Sequence, residues 1–300
     1  MNHAQTEQHA AAVDVVVLRL DLVDPDLSGN KWFKLVNHLD AARRAGSPGL
    51  ISLGGPHSNH LHALAAAGHR FGFATVGLLR GHEQDTPTVA DLQAWGMQIH
   101  WLGYGGFRAR NLPGFWQPWQ QRHRGYYCIP EGGGGLPGAL GCAELVPRLP
   151  SALAAVGWDD YDAVWLAAGT GTTLAGLVIG EAGRHPVIGA LAGPPSHAVD
   201  DNVAALLAQA GVANEGYELL DASRGGFARF DKELAQFMYT AERDGGVPLD
   251  PIYTAKTMMA LRLYVERGYV AAGTRVLFVH TGGLQGRRAA ESQLHKLIHG

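Results

Sequence analysis

Hydrophobic positions along this chain change period repeatedly, and each change marks an element. Val15 to Leu20 is a short β-branched run that reads as a strand. Asp24-Pro25 to Asn30 reads as a loop, after which Trp32, Leu35, Val36 and Leu39 recur at helical spacing and Gly46 stands where a helix should stop. The alternation continues with a strand at Leu50 to Leu53, a helix from about Asn59 to Phe71 and a strand at Ala74 to Leu79. A helix around Thr88 to Trp95, stopped by Gly96, leads to a strand at Gln98 to Leu102. Phe107 to Tyr127 is aromatic-rich and has no clear period. Beyond it, strands are predicted at Ala163 to Ala167, Val187 to Leu191 and Arg275 to Val279. Helices are predicted over Thr173 to Ala182, Val199 to Ala210, Asp231 to Asp244 and Thr254 to Glu266.

Strands that alternate with helices predict an α/β fold whose parallel sheets are covered on both faces. At 300 residues the chain exceeds one typical domain. The loosely patterned Phe107 to Tyr127 section is the expected crossing between two domains, and no fixed-period repeat is present.

Composition narrows the function classes. Charged residues are 17% of the chain, net charge is -3, and no Lys/Arg block is longer than two residues, so neither nucleic acid nor an anionic membrane is expected as the main partner. Two cysteines, Cys128 and Cys142, are too few for a disulfide scaffold or a structural zinc site. Met1 to Ala12 lacks the basic start and apolar core of a signal peptide, and no apolar stretch reaches membrane-spanning length. A cytoplasmic protein is the expectation. The 41 glycines cluster where apolar runs end and helix-like segments begin, the position of ligand loops in α/β proteins.

Three such loops carry candidate chemistry. In the first, the apolar run Val164 to Ala168 enters Gly169-Thr170-Gly171-Thr172-Thr173 and then a helix. Backbone N–H groups at a helix N-terminus, joined by three hydroxyls, suit a phosphate dianion; the competing reading is a Gly/Thr-rich turn with a capped helix. A dinucleotide fits poorly, because the sixth position is Leu174 and the next strand ends without an acidic residue. The second is Ser28-Gly29-Asn30-Lys31-Trp32-Phe33-Lys34. A lysine between a glycine and two aromatics could be desolvated and made nucleophilic, or could simply snorkel; Lys34, one turn on, reads as solvent-facing. The third is Gly54-Gly55-Pro56-His57-Ser58-Asn59-His60, where Ser58 or Asn59 could cap the helix. His57, His60 and His62 lack nearby Asp, Glu or Cys, so no metal is expected. Asp250-Pro251-Ile252-Tyr253-Thr254-Ala255-Lys256 and His280-Thr281-Gly282-Gly283 specify nothing alone.

Taken in order, these segments resemble the 1-aminocyclopropane-1-carboxylate deaminase / D-cysteine desulfhydrase family, pyridoxal 5'-phosphate (PLP) enzymes of fold type II, the tryptophan-synthase-β fold. Arg19-x-Asp21-Leu22 and S-G-N-K-x-x-K-L, the G-x-x-x-S-N loop, Pro130-Glu131-Gly132-Gly133 with Gly138 to Gly141, D-P-I-Y-T-A-K and H-T-G-G all carry the resemblance. It implies a Schiff base between PLP and Lys31, Asn59 on the cofactor's ring oxygen, and Ser58 and Tyr253 facing the substrate. It further implies that Gly169, Thr170, Gly171, Thr172 and Thr173 hold the phosphate and that Thr281 meets the pyridine nitrogen. A small domain over residues 32–124 would be inserted in a large one made of 1–31 and 125–300, and a homodimer is implied.

Departures bear on the substrate. Phe33 replaces the family's Arg, and Ser223-Arg224-Gly225-Gly226-Phe227 replaces a stretch that usually offers a second aromatic hydroxyl. Family members that open the cyclopropane ring place a Glu after the Tyr, where this chain has Thr254. A neutral hydroxyl at the pyridine nitrogen supports a shallower electron sink. The expectation is therefore a lyase that performs β-elimination on a small amino acid, with Lys31 moving the Cα proton, giving a 2-oxo acid, ammonia and the leaving group. Racemisation, dehydration, β-replacement, cyclopropane deamination, a PLP-binding protein without turnover and a sugar-phosphate binder are the alternatives.

Overall fold

A computed structural model describes residues 12–194 and 198–300. The reading of the N-terminus as no signal peptide falls on residues 1–11 and lies outside the described residues, apart from Ala12. The strands are β1 (Asp14–Arg19), β2 (Gly49–Gly54), β3 (Ala74–Leu79), β4 (Gln98–Trp101), β5 (Tyr127–Cys128), β6 (Ala163–Ala168), β7 (Val187–Leu191), β8 (Tyr217–Asp221) and β9 (Arg275–His280). They form a five-stranded sheet in the order β1-β9-β6-β7-β8 and a four-stranded sheet in the order β4-β3-β2-β5. Every strand pair in both sheets is parallel.

Both faces of each sheet are covered, as parallel pairing through helical crossovers requires. The period-2 alternation of the strands sorts side chains into separate cores. Val164, Leu166, Leu277 and Val279 pack on one face of the larger sheet, and Trp165, Ile188, Val276 and Phe278 on the other. In the smaller sheet Leu50 and Leu79 face one core while Ile51, Leu53, Val76 and Leu78 face a second. Phe33, which stands where the resemblance expects Arg, is partly buried against the core of the larger sheet.

The elements read from periodicity lie where expected, including the helices Asn59–Phe71 and Thr254–Glu266 and the strands β3 and β7. Local chemistry explains several ends: Ser58, Thr86 and Asp231 each cap a helix through the side chain, and Gly72 and Gly246 close helices in the left-handed region. The Phe107 to Tyr127 section starts at the end of the short helix Gly103–Arg108 and contains the short helix Gln117–Arg122. It packs Phe107, Phe115, Trp116 and Trp119 on the smaller sheet, which β5 then rejoins, so the chain crosses to the larger sheet only after β5. Two ion pairs, Arg110 with Glu131 at 2.6 Å and Arg288 with Asp91, tie the smaller sheet's surroundings to later segments. Among the described residues, no helix is long and apolar enough to cross a membrane.

Candidate active site

The carboxyl ends of β2, β6 and β9 all run into glycine loops, and three helix starts meet them. The helix Asn30–Arg44 begins at Gly29, whose φ is +69°. That conformation favours glycine, and a Cβ there would lie 2.1 Å from the Thr281 carbonyl oxygen. The close approach lets the Asn30 N–H donate to the Thr281 carbonyl at 3.1 Å. Lys31 is thereby set beside the H-T-G-G loop.

Asn30 also links the lysine to the Gly/Thr loop. Its side-chain nitrogen donates to Thr173 Oγ1 at 2.8 Å, while its oxygen accepts from Lys31 Nζ at 2.8 Å. Burial pulls the Lys31 amine down to about 7, and the neighbouring Lys34 ammonium pushes it the same way. A lysine so placed is a nucleophile near neutral pH.

Lys34 is not solvent-facing, contrary to the sequence expectation. It is 4% exposed, and its Nζ donates to the Gly132 carbonyl at 3.2 Å. One helical turn separates it from Lys31, so both lysines occupy one helix face and both turn inward. His60 lies beneath them. Its Nε2 is 2.8 Å from Ser52 Oγ, whose proton goes to the Ile129 carbonyl, so Nε2 donates and Nδ1 is left as a buried acceptor without a partner among the described residues. Desolvation and both lysines hold this imidazole neutral, well below its ordinary value.

The Gly169 to Thr173 loop passes from β6 into the helix Thr172–Glu181. Its N-cap Gly171 has φ +80° and supplies no side-chain cap, so the first N–H groups of the helix remain open as donors. Thr170 and Thr172 hydroxyls are 3.1 Å apart, and Thr173 is taken by Asn30. The strap Glu131 to Gly134 lies opposite: a Cβ at Gly132 would sit 3.1 Å from the Thr170 methyl. A Cβ at Gly169 would sit 3.2 Å from the Tyr253 ring. Glycines lining a concave turn of open N–H donors, with the buried Lys34 ammonium nearby, form a cradle that fits a phosphate dianion.

Tyr253 is placed by Asp250, which is 2% exposed. The Asp250 carboxylate accepts from the backbone N–H groups of Ile252, Tyr253 and Thr254 and from the Thr254 hydroxyl at 2.8 to 3.0 Å. Burial, helped by Asp250 and Glu131, pushes the Tyr253 phenol up, so its hydroxyl stays protonated and can donate. Thr254 is wholly buried, and its hydroxyl is spent on Asp250.

Asn59 opens the helix after β2. Its oxygen accepts from Gln285 Nε2 at 2.8 Å, which leaves its side-chain nitrogen as a donor without a protein partner among the described residues. Ser58, next to it, accepts from the Leu61 N–H at 3.2 Å and keeps its own proton available. The Thr281 hydroxyl likewise has no protein partner among the described residues. The loop carrying it is anchored by His280, which is wholly buried, bonded to the Pro248 carbonyl at 2.8 Å and 3.2 Å from Asp21; Arg19 grips Asp21 with two nitrogens.

The contacts close a ring: Lys31 to Asn30, Asn30 to Thr281, Gly283 to Asn59 and Asp250, Tyr253 to Gly169, Thr170 to Gly132, and Gly132 back to Lys34. All the sequence-predicted site residues belong to it or adjoin it. Asn30, Lys34, Asp250 and Gln285 are additions that sequence reasoning passed over. His62 is engaged elsewhere, 3.2 Å from Asp91, and among the described residues no group of three potential metal ligands exists.

Residues 2–282 match the model of the family described as pyridoxal-phosphate dependent enzyme. The chain belongs to that family. It is 29% identical over 291 residues to a Pyrococcus furiosus protein provisionally named a 1-aminocyclopropane-1-carboxylate deaminase, covering 91% of this chain and 85% of that one. A Klebsiella pneumoniae protein named D-cysteine desulfhydrase is 28% identical over 292 residues, covering 90% and 87%. A crystal structure described as an ACC deaminase homologue superposes with a TM-score of 0.82 at 28% identity, covering 95% of this chain and 89% of the other. This PLP enzyme therefore has the fold type II architecture of parallel sheets flanked by helices.

Proposed function

We propose that this PLP enzyme is a lyase of the D-cysteine desulfhydrase type: it removes a β-substituent from a small amino acid. For cysteine the Cα–H and C–S bonds break, and water completes the conversion to pyruvate, ammonia and sulfide. The observation that carries the reading is the state of Thr254. On the resemblance, ring-opening deaminases place a Glu there to keep the pyridine nitrogen protonated. Here the position holds a buried hydroxyl already bonded to Asp250, and the Asp250 carboxylate is itself saturated by four donors. The open group at the H-T-G-G loop is the neutral Thr281 hydroxyl. A neutral partner supports the shallow sink that suffices when the leaving group is good.

PLP supplies the electron sink that makes the Cα proton acidic. Lys31 would hold the cofactor through Nζ and would take up the Cα proton on the same atom, a role its lowered pKa suits. The Gly169 to Thr173 cradle would hold the phosphate, with Gly169, Thr170, Gly171, Thr172 and Thr173 shaping it. The free amide nitrogen of Asn59 would be the donor for the cofactor's ring oxygen. Ser58 and the protonated Tyr253 bind the substrate carboxylate or pass a proton. For the division into residues 32–124 and 1–31 with 125–300, the separate sheet and cores around β2 to β4 speak in favour of an inserted unit, while β5 (Tyr127–Cys128), which pairs with β2, carries that unit past residue 124. A homodimer acting in the cytoplasm accompanies this reading.

The test is a product screen of the PLP-loaded protein with D-cysteine, L-cysteine, β-chloro-D-alanine and 1-aminocyclopropane-1-carboxylate. Pyruvate from the β-substituted amino acids and no 2-oxobutyrate from the cyclopropane support the reading. Full PLP occupancy with inverted amino acid as the product, or with no product at all, would overturn it.

A further inference from the structure

Lys256 is 1% exposed, and its ammonium serves none of the groups assigned above. Each of its three protons has a backbone carbonyl: Ser223 at 2.8 Å, Gly226 at 2.9 Å and Ala192 at 3.3 Å. Two of these carbonyls lie on the loop that follows β8, and the third lies just past β7. Lys256 is thus a clip between the carboxyl ends of two neighbouring strands, where ligands bind in open α/β sheets.

The clipped loop is strained. Arg224 and Ala228, neither of them glycine, hold φ at +50° and +60°. Such conformations persist only where the surroundings impose them. Besides Lys256, the clamps are Arg224 to Asp231 and Glu233, both at 2.7 Å, and the Ser223 N–H to Asp221 at 2.8 Å. The loop places the Phe227 ring 5.9 Å from the Tyr253 ring in an edge-on arrangement, with Phe227 still 42% exposed. Tyr253 in turn abuts Gly169 of the cradle. Lys256 sits three residues beyond Tyr253, so a single helix start supports the loop from below and meets it from the side.

We propose that Lys256 is a positioning residue that fixes the Ser223 to Phe227 loop as the substrate-side wall, and that Phe227 makes that wall apolar. The enzyme accordingly prefers a β-substituent without charge, such as a thiol or chloride, over a charged one such as phosphate. The preference rests on the lyase reading; the clip does not.

The test compares wild type, Lys256→Met and Phe227→Ala. Hydrogen exchange of amides 223–229 is followed before and after PLP loading, alongside PLP retention and KM and kcat for β-chloro-D-alanine and O-phospho-D-serine. Lys256→Met should speed exchange in the loop at least tenfold while the helix Thr172–Glu181 and PLP retention stay unchanged. Phe227→Ala, at an exposed position that cannot unfold the core, should raise KM for β-chloro-D-alanine at least fivefold with kcat within twofold, and narrow its advantage over the phosphate ester. Unchanged loop exchange in Lys256→Met, or PLP lost in step with it, would overturn the clip. Should that variant not fold, Phe227→Ala decides: an unaltered KM would overturn the wall. If neither amino acid reacts with wild type, the lyase reading has failed, and the exchange result still judges the clip.

Discussion

The side-chain nitrogen of Asn30 donates to Thr173 Oγ1 at 2.8 Å across 143 residues of sequence. Because the same side chain accepts from Lys31, the lysine and the phosphate cradle are held by one amide. Asn30→Ala should cost roughly 1–3 kcal/mol, since the buried Thr173 hydroxyl loses its donor, and should weaken PLP retention about tenfold. A double-mutant cycle with Thr173→Val should return a coupling of roughly 0.5–3 kcal/mol. Strictly additive losses would show that the two sites are not joined through this bond.

Only a neutral amine attacks a carbonyl. With Lys31 pulled down to about 7, the rate of PLP capture should climb across roughly pH 6 to 8 and then level, well below the range of an ordinary lysine. Lys34→Met removes a neighbouring positive charge and should move that midpoint upward by roughly half a unit to one unit. The same shift has a consequence for stability. An unfolded lysine keeps its proton to near 10.5 while folded Lys31 releases it near 7, so the unfolded chain binds more protons in between. The cofactor-free protein therefore gains stability from this group as pH rises through that window, and loses it as pH falls through 7. Stopped-flow absorbance reads the first effect and denaturant titration the second; a capture rate still climbing near pH 10, roughly the ordinary lysine value, would refute the assignment.

Gly29→Ala should be far more damaging than a surface substitution. Its Cβ would meet the Thr281 carbonyl at 2.1 Å, from a left-handed φ of +69°. With ψ at −147° the conformation is close to one only glycine adopts readily, and it alone costs about 1–3 kcal/mol for alanine. Relief of the clash displaces the H-T-G-G loop, so PLP affinity should fall at least about tenfold, beyond the ~1 kcal/mol typical of a point mutant. Fluorescence titration with PLP checks this, and wild-type affinity would mean that the loop does not meet the cofactor.

Thr254→Val keeps the volume and removes the hydroxyl. Asp250 then loses both a donor to its carboxylate and an acceptor for its own N–H. Both groups are buried, so the loss should be roughly 2–4 kcal/mol, whereas Thr254→Ser should lose under about 1 kcal/mol. Urea unfolding midpoints separate the two; equal midpoints would contradict the role given to the hydroxyl.

Much of this architecture was legible because parallel strands buried on both faces are β-branched runs, and those stand out between helical periods. β5 was invisible because it is two residues long, and β8 because it is an edge strand, Tyr217–Asp221, with only one fully buried side chain. The five glycine loops could be ordered along the chain, and the structure shows them converging. The burial of Lys34 was implicit in its spacing from Lys31: residues three apart share a helix face. Nothing local marked Lys256, since its three acceptors come from Ala192, Ser223 and Gly226, far away in sequence.

β1 pairs with β9 along its whole length, from Asp14 against Arg275 to Arg19 against His280. The strand that leads to Lys31 is therefore completed by the strand that leads to Thr281. During synthesis, Lys31 leaves the ribosome long before the partner loop at Thr281. On the proposed function, cofactor capture would wait for that later arrival, so a stalled or truncated chain lacking β9 would be a colourless bystander rather than a leaky, half-built catalyst.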